Sequence, residues 1–194
     1  MVLGAAGILT VPTAEAAVLL RKATAGIPPD TLVRADALRT VLPVAEVLGP
    51  ATLAYVSDVE FRPVSTDHAV ARLSVKHPDV LALLATAGHE DAGESGLGEI
   101  SSPAFVILDG GEAVAAAGYR IWPGGTAHVS VLTAPQRRGR GLARTVASAA
   151  VAHALDAGLL PQWRARPEPS RRVAGALGFR EVGAQLSFRL EFGA

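Results

Sequence analysis

A chain of 194 residues, 49% of them apolar, is long enough to bury a substantial core as one generous domain or two small ones. Its 18 basic and 18 acidic residues cancel, which removes any global electrostatic pull toward nucleic acid or anionic lipid. With no cysteine, disulfide frameworks, thiolate metal sites and cysteine nucleophiles are excluded. Arginine outnumbers lysine 16 to 2 in an alanine-rich chain; this reads as composition bias, so a single arginine carries little functional weight.

Val2 to Val11 is apolar, but no basic cluster precedes it and Pro12 and Glu15 interrupt it, which argues against a signal peptide or membrane span and for a cytoplasmic protein. Residues 13 to 25 predict a helix: Thr13 can cap it, Glu15 sits in the first turn, Arg21 and Lys22 near the end, and Gly26 stops it. After Pro28-Pro29, Asp30 is expected to cap a second helical stretch to Leu42, and Pro43 to Leu48 to form a further turn. Leu53 to Val59 is the first expected strand. Thr66 to Ala87 reads as helix, broken at His77-Pro78. Residues 1–50 are thus expected to be a mostly helical extension ahead of a domain spanning 51–194. Gly88 to Gly98, with Glu90, Asp91 and Glu94, reads as a polar loop.

The second half is better punctuated. Pro103 opens a strand, Ala104 to Leu108; Asp109-Gly110-Gly111 is a hairpin turn; Glu112 to Trp122 is the return strand; and Pro123-Gly124-Gly125 turns again. The next strand includes Val129 to Thr133 and stops at Pro135, which cannot donate to a ladder. Gly139 and Gly141 then lead into an alanine-rich helix, Leu142 to Ala157. Leu160 to Arg164 is a strand, 168 to 177 a helix, and Phe179 to Val182 and Leu186 to Phe192 are the last strands. A glycine turn that opens a helix after a strand leaves backbone N–H groups pointing outward at the positive end of the helix dipole, a cradle for phosphate. It is not a Walker A loop, for no Gly-Lys precedes a Ser or Thr, and it lacks the third glycine of a dinucleotide fingerprint.

Arg138-Gly139-Arg140-Gly141-Leu142-Ala143 fits R/Q-x-x-G-x-G/A, and Gln136-x-x-Gly139-x-Gly141 fits it two residues earlier; the later register seats Thr133-Ala134-Pro135 better. Downstream, Ser170 to Phe179 closes on Gly178-Phe179. Over residues 95 to 192 the chain resembles the GNAT superfamily of N-acetyltransferases, and the serine nine residues before Phe179 is similar to the branch that holds ribosomal-protein N-terminal acetyltransferases. The resemblance implies an α/β (α+β) fold, a mixed, twisted central sheet with helices on both faces. It also implies acetyl-coenzyme A as donor and direct transfer of acetyl to an amine.

By the same resemblance, Arg138, Gly139, Arg140, Gly141, Leu142, Ala143 and Arg144 would hold the pyrophosphate, and Val131, Leu132 and Thr133 the pantetheine arm and thioester carbonyl. Ser170 would protonate or hydrogen-bond the leaving sulfur; its alternative is a helix cap or an early-turn hydroxyl. The tyrosine that many relatives place near the chain's Gly-Phe pair is Ala174 here, and a usual asparagine is Pro167. His128 is the histidine near the central strand and titrates near neutrality when unperturbed, but it lies one residue from the family's base position at Ala127 or Val129, on the opposite face. Glu99 and Tyr119 are the other candidates for the base. His68, His77, His89 and His153 are spaced like no metal site, so no metal is expected.

Two rival readings stand beside the enzyme. One is a catalytically inactive coenzyme A-binding regulator, favoured by Ala174 and the missing base. The other is a nucleic-acid binder through Arg137, Arg138, Arg140, Arg144, Arg171 and Arg172, opposed by zero net charge and few aromatics. The expected partner is therefore acetyl-coenzyme A, with neither nucleic acid nor membrane. The sequence leaves the acceptor open between a small-molecule amine and a protein N-terminus or lysine, and the assembly between monomer and homodimer.

Overall fold

The computed structural model describes residues 1–65 and 68–191. In chain order these form β1 (Val2–Leu3), β2 (Ala6–Gly7), α1 (Ala14–Ala23), a 3-10 turn Pro29–Val33, α2 (Ala35–Arg39), β3 (Val44–Tyr55) and β4 (Ala71–Leu73). Next come α3 (Pro78–Ser95), a 3-10 turn Leu97–Glu99, β5 (Ala104–Asp109), β6 (Glu112–Trp122) and β7 (Thr126–Thr133). After a 3-10 turn Pro135–Arg137 follow α4 (Leu142–Asp156), β8 (Leu160–Ala165), α5 (Glu168–Ala176) and β9 (Arg180–Leu190). The chain divides into two compact units: Met1–Ala54, Ala165–Glu168 and the segment from Glu181 make one, Tyr55–Arg164 and Pro169–Arg180 the other.

In the first unit, the Thr13 hydroxyl accepts from Ala16 N at 3.2 Å, with Glu15 in the first turn of α1 and Arg21 and Lys22 in the last. Capping and dipole complementarity thus place this helix where its sequence predicts it. The second expected helix is shorter: Asp30 lies inside the 3-10 turn, and α2 begins at Ala35. Pro43 to Leu48, expected as a turn, instead leads into β3, which starts at Val44 and ends at Tyr55. Strands β1, β2 and β3 also stand in the segment expected to be mostly helical, so residues 1–50 are mixed. Val2, Leu20, Leu32, Leu38, Leu42 and Leu186 form the core. Val44 and Val47 pack against it, and this burial draws the segment into extended conformation. The expected pair of final strands is the single strand β9, whose Gly183 sits opposite Leu3; Phe192 lies outside the described residues.

The second unit is a sheet in the order β8-β7-β6-β5-β4. Glycines at positive φ make the hairpin turns, Gly110 and Gly111 at 63° and 86°, Gly124 and Gly125 at 81° and 75°. β6 and β7 pair antiparallel along their length, Tyr119 opposite Val129 and Arg120 opposite His128. β7 returns through α4 to β8, which runs parallel to it. Val80 and Leu83 of α3 pack with Leu97, Val106, Ala116 and Leu132 on one face; Ala154 of α4 meets Tyr119 and Ala127 on the other.

Two expectations fail in this unit. Between 68 and 77 the chain makes β4 rather than helix (Thr66 and Asp67 lie outside the described residues), and α3 starts at Pro78, where His77 Nδ1 accepts from Asp79 N at 3.3 Å. The expected loop from Gly88 is helical again after one non-helical residue, Gly88 at φ 82°, ψ 163°, so Glu90, Asp91 and Glu94 ride on a second helical segment. A single glycine absorbs the kink, and helix resumes behind it.

Candidate functional site

The glycine turn before α4 has the geometry its sequence implies. Gly139 and Gly141 lie at φ 77° and 78°, and Gly141 is the N-cap residue with no side chain closing the helix end. The backbone N–H groups from Gly139 to Ala143 have no backbone acceptor among the described residues. A Cβ added at either glycine would meet nothing within 4 Å, so the space beside both is open. Such a helix start binds anions through its N–H groups and dipole together.

The arginines around it divide by role. Arg137 pairs with Asp109 at 2.7 Å. Arg138 reaches Asp91 at 2.6 Å and the Thr133 carbonyl at 3.4 Å, bracing the turn against α3 and the end of β7. Arg140 and Arg144 are exposed and make no ion pair among the described residues.

Beside this turn the sheet parts. Parallel pairing of β7 with β8 covers Thr126–Leu160, Ala127–Pro161 and His128–Gln162 and then stops, while β7 continues against β6 to Thr133. From Val129 to Thr133 the backbone edge of β7 that faces β8 is therefore unpaired among the described residues. Leu132 turns its side chain into the core under α3. Val131 and Thr133 alternate to the other face, and Thr133 Oγ1 is buried without a hydrogen-bond partner. An extended chain of amides lying in this gap would find backbone partners and an orphaned hydroxyl, and its phosphates would reach the open helix start. These residues fit coenzyme A.

His128 stands at the closed end of the gap. Its Nδ1 lies 3.0 Å from Gln162 Oε1, and Gln162 Nε2 donates to the Tyr55 hydroxyl at 2.5 Å. The carboxamide oxygen can only accept, so Nδ1 carries the proton and Nε2 keeps a lone pair. The ring stacks on Trp122, centroids 4.4 Å apart and planes 16° apart. Burial first, then the Arg164 charge, push its pKa down to about 4, with a smaller push from Arg120 and only a partial offset from the Gln162 bond. His128 is thus a neutral, weakly basic acceptor at pH 7.

The alternatives for the base have other employment. Glu99 pairs with Arg120 at 2.7 Å. Tyr119 faces α4, with its hydroxyl 2.8 Å from His153 Nδ1, and Arg72 donates to His153 Nε2 at 3.1 Å. Burial raises the pKa of that phenol.

Ser170 is the third residue of α5, past the cap position. Its Oγ accepts from the Trp163 indole N–H at 3.0 Å, and Trp163 is 4% exposed, edge-on to Phe179. The hydroxyl proton stays free to donate elsewhere. Ala174, 3% exposed, leaves no hydroxyl in the next turn.

The partners that shape these groups, Tyr55, Trp122, Gln162, Trp163 and Arg164, were not singled out from the sequence. Gln162 had a signal: an uncharged polar residue between Pro161 and Trp163, and it is 4% exposed although the strand's other polar residue, Arg164, reaches solvent. Among the described residues no three His, Cys, Asp or Glu side chains gather to hold a metal ion, and no helix is long and apolar enough to cross a membrane.

Residues 96–185 match the family model of the GNAT acetyltransferases, and that segment is a GNAT acetyltransferase-family domain. No curated protein matches the chain in sequence. Among solved structures, a GNAT-family protein from Novosphingobium aromaticivorans superposes with a TM-score of 0.60 at 25% identity, over 75% of this chain and 65% of that one. A GCN5-related N-acetyltransferase from Kribbella flavida gives 0.60 at 18% identity, over 82% and 64%. A GCN5-related N-acetyltransferase-like protein from Streptococcus suis gives 0.55 at 20%, over 80% and 67%. The chain therefore spans just under two thirds of the length of the first two, and the likeness to the last two is one of fold.

Proposed function

We propose that the GNAT-family domain makes this chain an acetyl-coenzyme A-dependent N-acetyltransferase that moves acetyl directly to an amine within a ternary complex. The observation that carries the reading is the parting of β7 from β8 at His128 and Gln162, which leads straight to the uncapped start of α4. We assign residues 51–194 to the catalytic domain and the cytoplasm as its place of work.

Acetyl-coenzyme A, when bound, supplies an acetyl group activated as a thioester. The N–H groups from Gly139 to Ala143 bind its pyrophosphate, and Arg140 and Arg144 add charge at the rim. The open edge from Val131 to Thr133 pairs with the pantetheine amides and polarises the thioester carbonyl, with Thr133 Oγ1 as a further partner. Arg138 acts one step back, holding the turn through Asp91. His128 Nε2 accepts a hydrogen bond from the incoming amine and aligns its lone pair. Ser170, its oxygen fixed by Trp163, turns its hydroxyl proton toward the departing sulfur. The new N–C bond replaces the C–S bond, one amine proton leaves to water or His128, and the thiol regains one.

The test is thiol release from acetyl-coenzyme A across a broad amine panel, with coenzyme A binding by calorimetry in parallel. Turnover with any amine supports the reading. A folded protein that fails to bind coenzyme A at millimolar concentration overturns it. Binding without turnover selects the second reading, a non-catalytic coenzyme A-binding regulator, which Ala174 and the weak basicity of His128 favour.

A further inference from the structure

Side-chain alternation brings one set of groups to the face of the sheet that carries His128. Arg120 and Trp122 come from β6, His128 and Ser130 from β7, Gln162 and Arg164 from β8, with Arg120 opposite His128 and Gln162 beside it. Arg164 lies two residues beyond the last β7–β8 pair, so it rises from the rim of the gap on the His128 side. It is exposed.

The charges on this face do not balance. Arg120 is neutralised by Glu99 at 2.7 Å. Arg164 has no ion pair among the described residues, and His128 is neutral. Of these groups, Arg164 is left as one uncompensated positive charge on the face that carries His128. An unprotected amine is a cation in neutral water, and this field opposes its approach. An amine that carries its own anionic group meets no such opposition. Its carboxylate, planar and two-pronged, matches the guanidinium fork, and the same field lowers the pKa of the docked amine. A neutral amine then reaches the thioester without a strong base, which suits the weak one present.

Building on the acetyltransferase reading, we propose that the acceptor is an amine bearing a carboxylate, of the amino acid or peptide type, and that Arg164 is the residue that selects it. Trp122 holds the imidazole flat, so Nε2 presents a fixed direction to the amine end of such a molecule, while the exposed Arg164 side chain is free to swing to the carboxylate end.

The experiment compares an amino acid, its C-terminal amide and the matching aminophosphonate as acceptors for the wild type, Arg164→Gln and Arg164→Lys. The wild type is expected to favour the carboxylate over the amide by about tenfold or more in kcat/KM. In Arg164→Gln the ratio falls toward one, chiefly through KM, and Arg164→Lys recovers part of it. Coenzyme A affinity serves as the folding control. A wild type without preference, a preference that survives in Arg164→Gln, or a preference for the phosphonate overturns the proposal. Should no amine be acetylated, the acetyltransferase reading fails instead. Calorimetry of the amino acid against its amide on the coenzyme A-loaded protein then still reads Arg164: equal affinities overturn the selection, and a gap that closes in Arg164→Gln sustains it.

Discussion

Gln162 and Trp163 are neighbours in β8 and hold the two candidate chemical groups on opposite faces of one sheet. Gln162 Oε1 takes the Nδ1 proton of His128 at 3.0 Å, while the Trp163 indole donates to Ser170 Oγ at 3.0 Å. Consecutive strand residues point to opposite sides, so His128 and Ser170 lie on opposite faces of the sheet, which parts just beyond His128 where β7 leaves β8. In the proposed reaction, amine and sulfur meet through that opening.

Ser170→Ala removes two things at once. The free hydroxyl proton is lost, so kcat should fall while coenzyme A affinity stays nearly unchanged, because that contact strengthens only as charge gathers on sulfur. The buried Trp163 N–H is also orphaned, which should cost about 1–2 kcal/mol of stability. Trp163→Phe separates the effects by removing the donor while sparing the hydroxyl. Normal turnover in Ser170→Ala would exclude the serine from the chemistry.

His128 should make stability depend on pH. Its folded pKa of about 4 lies below the ordinary 6.5, so between those values the unfolded chain takes up a proton that the folded one refuses. Stability is greatest above pH 6.5 and falls as pH drops toward 4. From pH 7 to pH 5 the loss should be about 2 kcal/mol. Denaturation midpoints for the wild type and His128→Asn would show it: the variant should lose most of that slope, and an identical slope would mean the imidazole titrates normally.

Reversing charge at the turn should weaken cofactor binding without harming the fold. Arg140→Glu with Arg144→Glu touches no ion pair among the described residues and should lower coenzyme A affinity by about tenfold or more, most clearly at low salt. Arg138→Ala should act differently, losing its Asp91 and Thr133 contacts and lowering stability as well as affinity. Calorimetry and melting curves on the same samples distinguish the two patterns.

The glycines within and just past the last helix invite a matched pair. Gly178 lies at φ 94°, and a Cβ there would collide with the Glu60 carbonyl, so Gly178→Ala should destabilise by about 2–4 kcal/mol. Gly175 is inside α5 with nothing within 4 Å of its would-be Cβ, so Gly175→Ala should stabilise by about 0.5–1 kcal/mol. Equal effects would contradict the backbone geometry at the chain's Gly-Phe pair.

The run from β5 to β8 was legible because its signals are local. Asp109-Gly110-Gly111 and Pro123-Gly124-Gly125 can hardly be anything but turns, and Glu112 and Trp122 bound β6 where they were expected to. Only the end of β3 was legible: a strand was expected from Leu53 to Val59, whereas β3 stops at Tyr55 and starts at Val44, because Val44 and Val47 take extended conformation from packing with Leu186 at the far end of the chain. Gly88 misled in another way: a glycine that reads as the end of a helix is here a single kinked residue within one. The phosphate turn was visible as a motif, whereas the His128–Gln162–Tyr55 chain joins residues whose meeting depends on strand register, which spacing along the sequence does not encode.

The parting of β7 from β8 also sets a clock on the backbone. Amides of Val129 to Thr133 that face the gap sit between two strands of one sheet, yet they have no ladder partner among the described residues. They should exchange with deuterium as fast as those of a frayed terminus, while their neighbours facing β6 exchange only on deep unfolding. Within one strand, alternate residues would then differ by orders of magnitude in protection. A ligand threaded along the gap would erase that alternation, so its arrival could be followed residue by residue without any chemistry taking place.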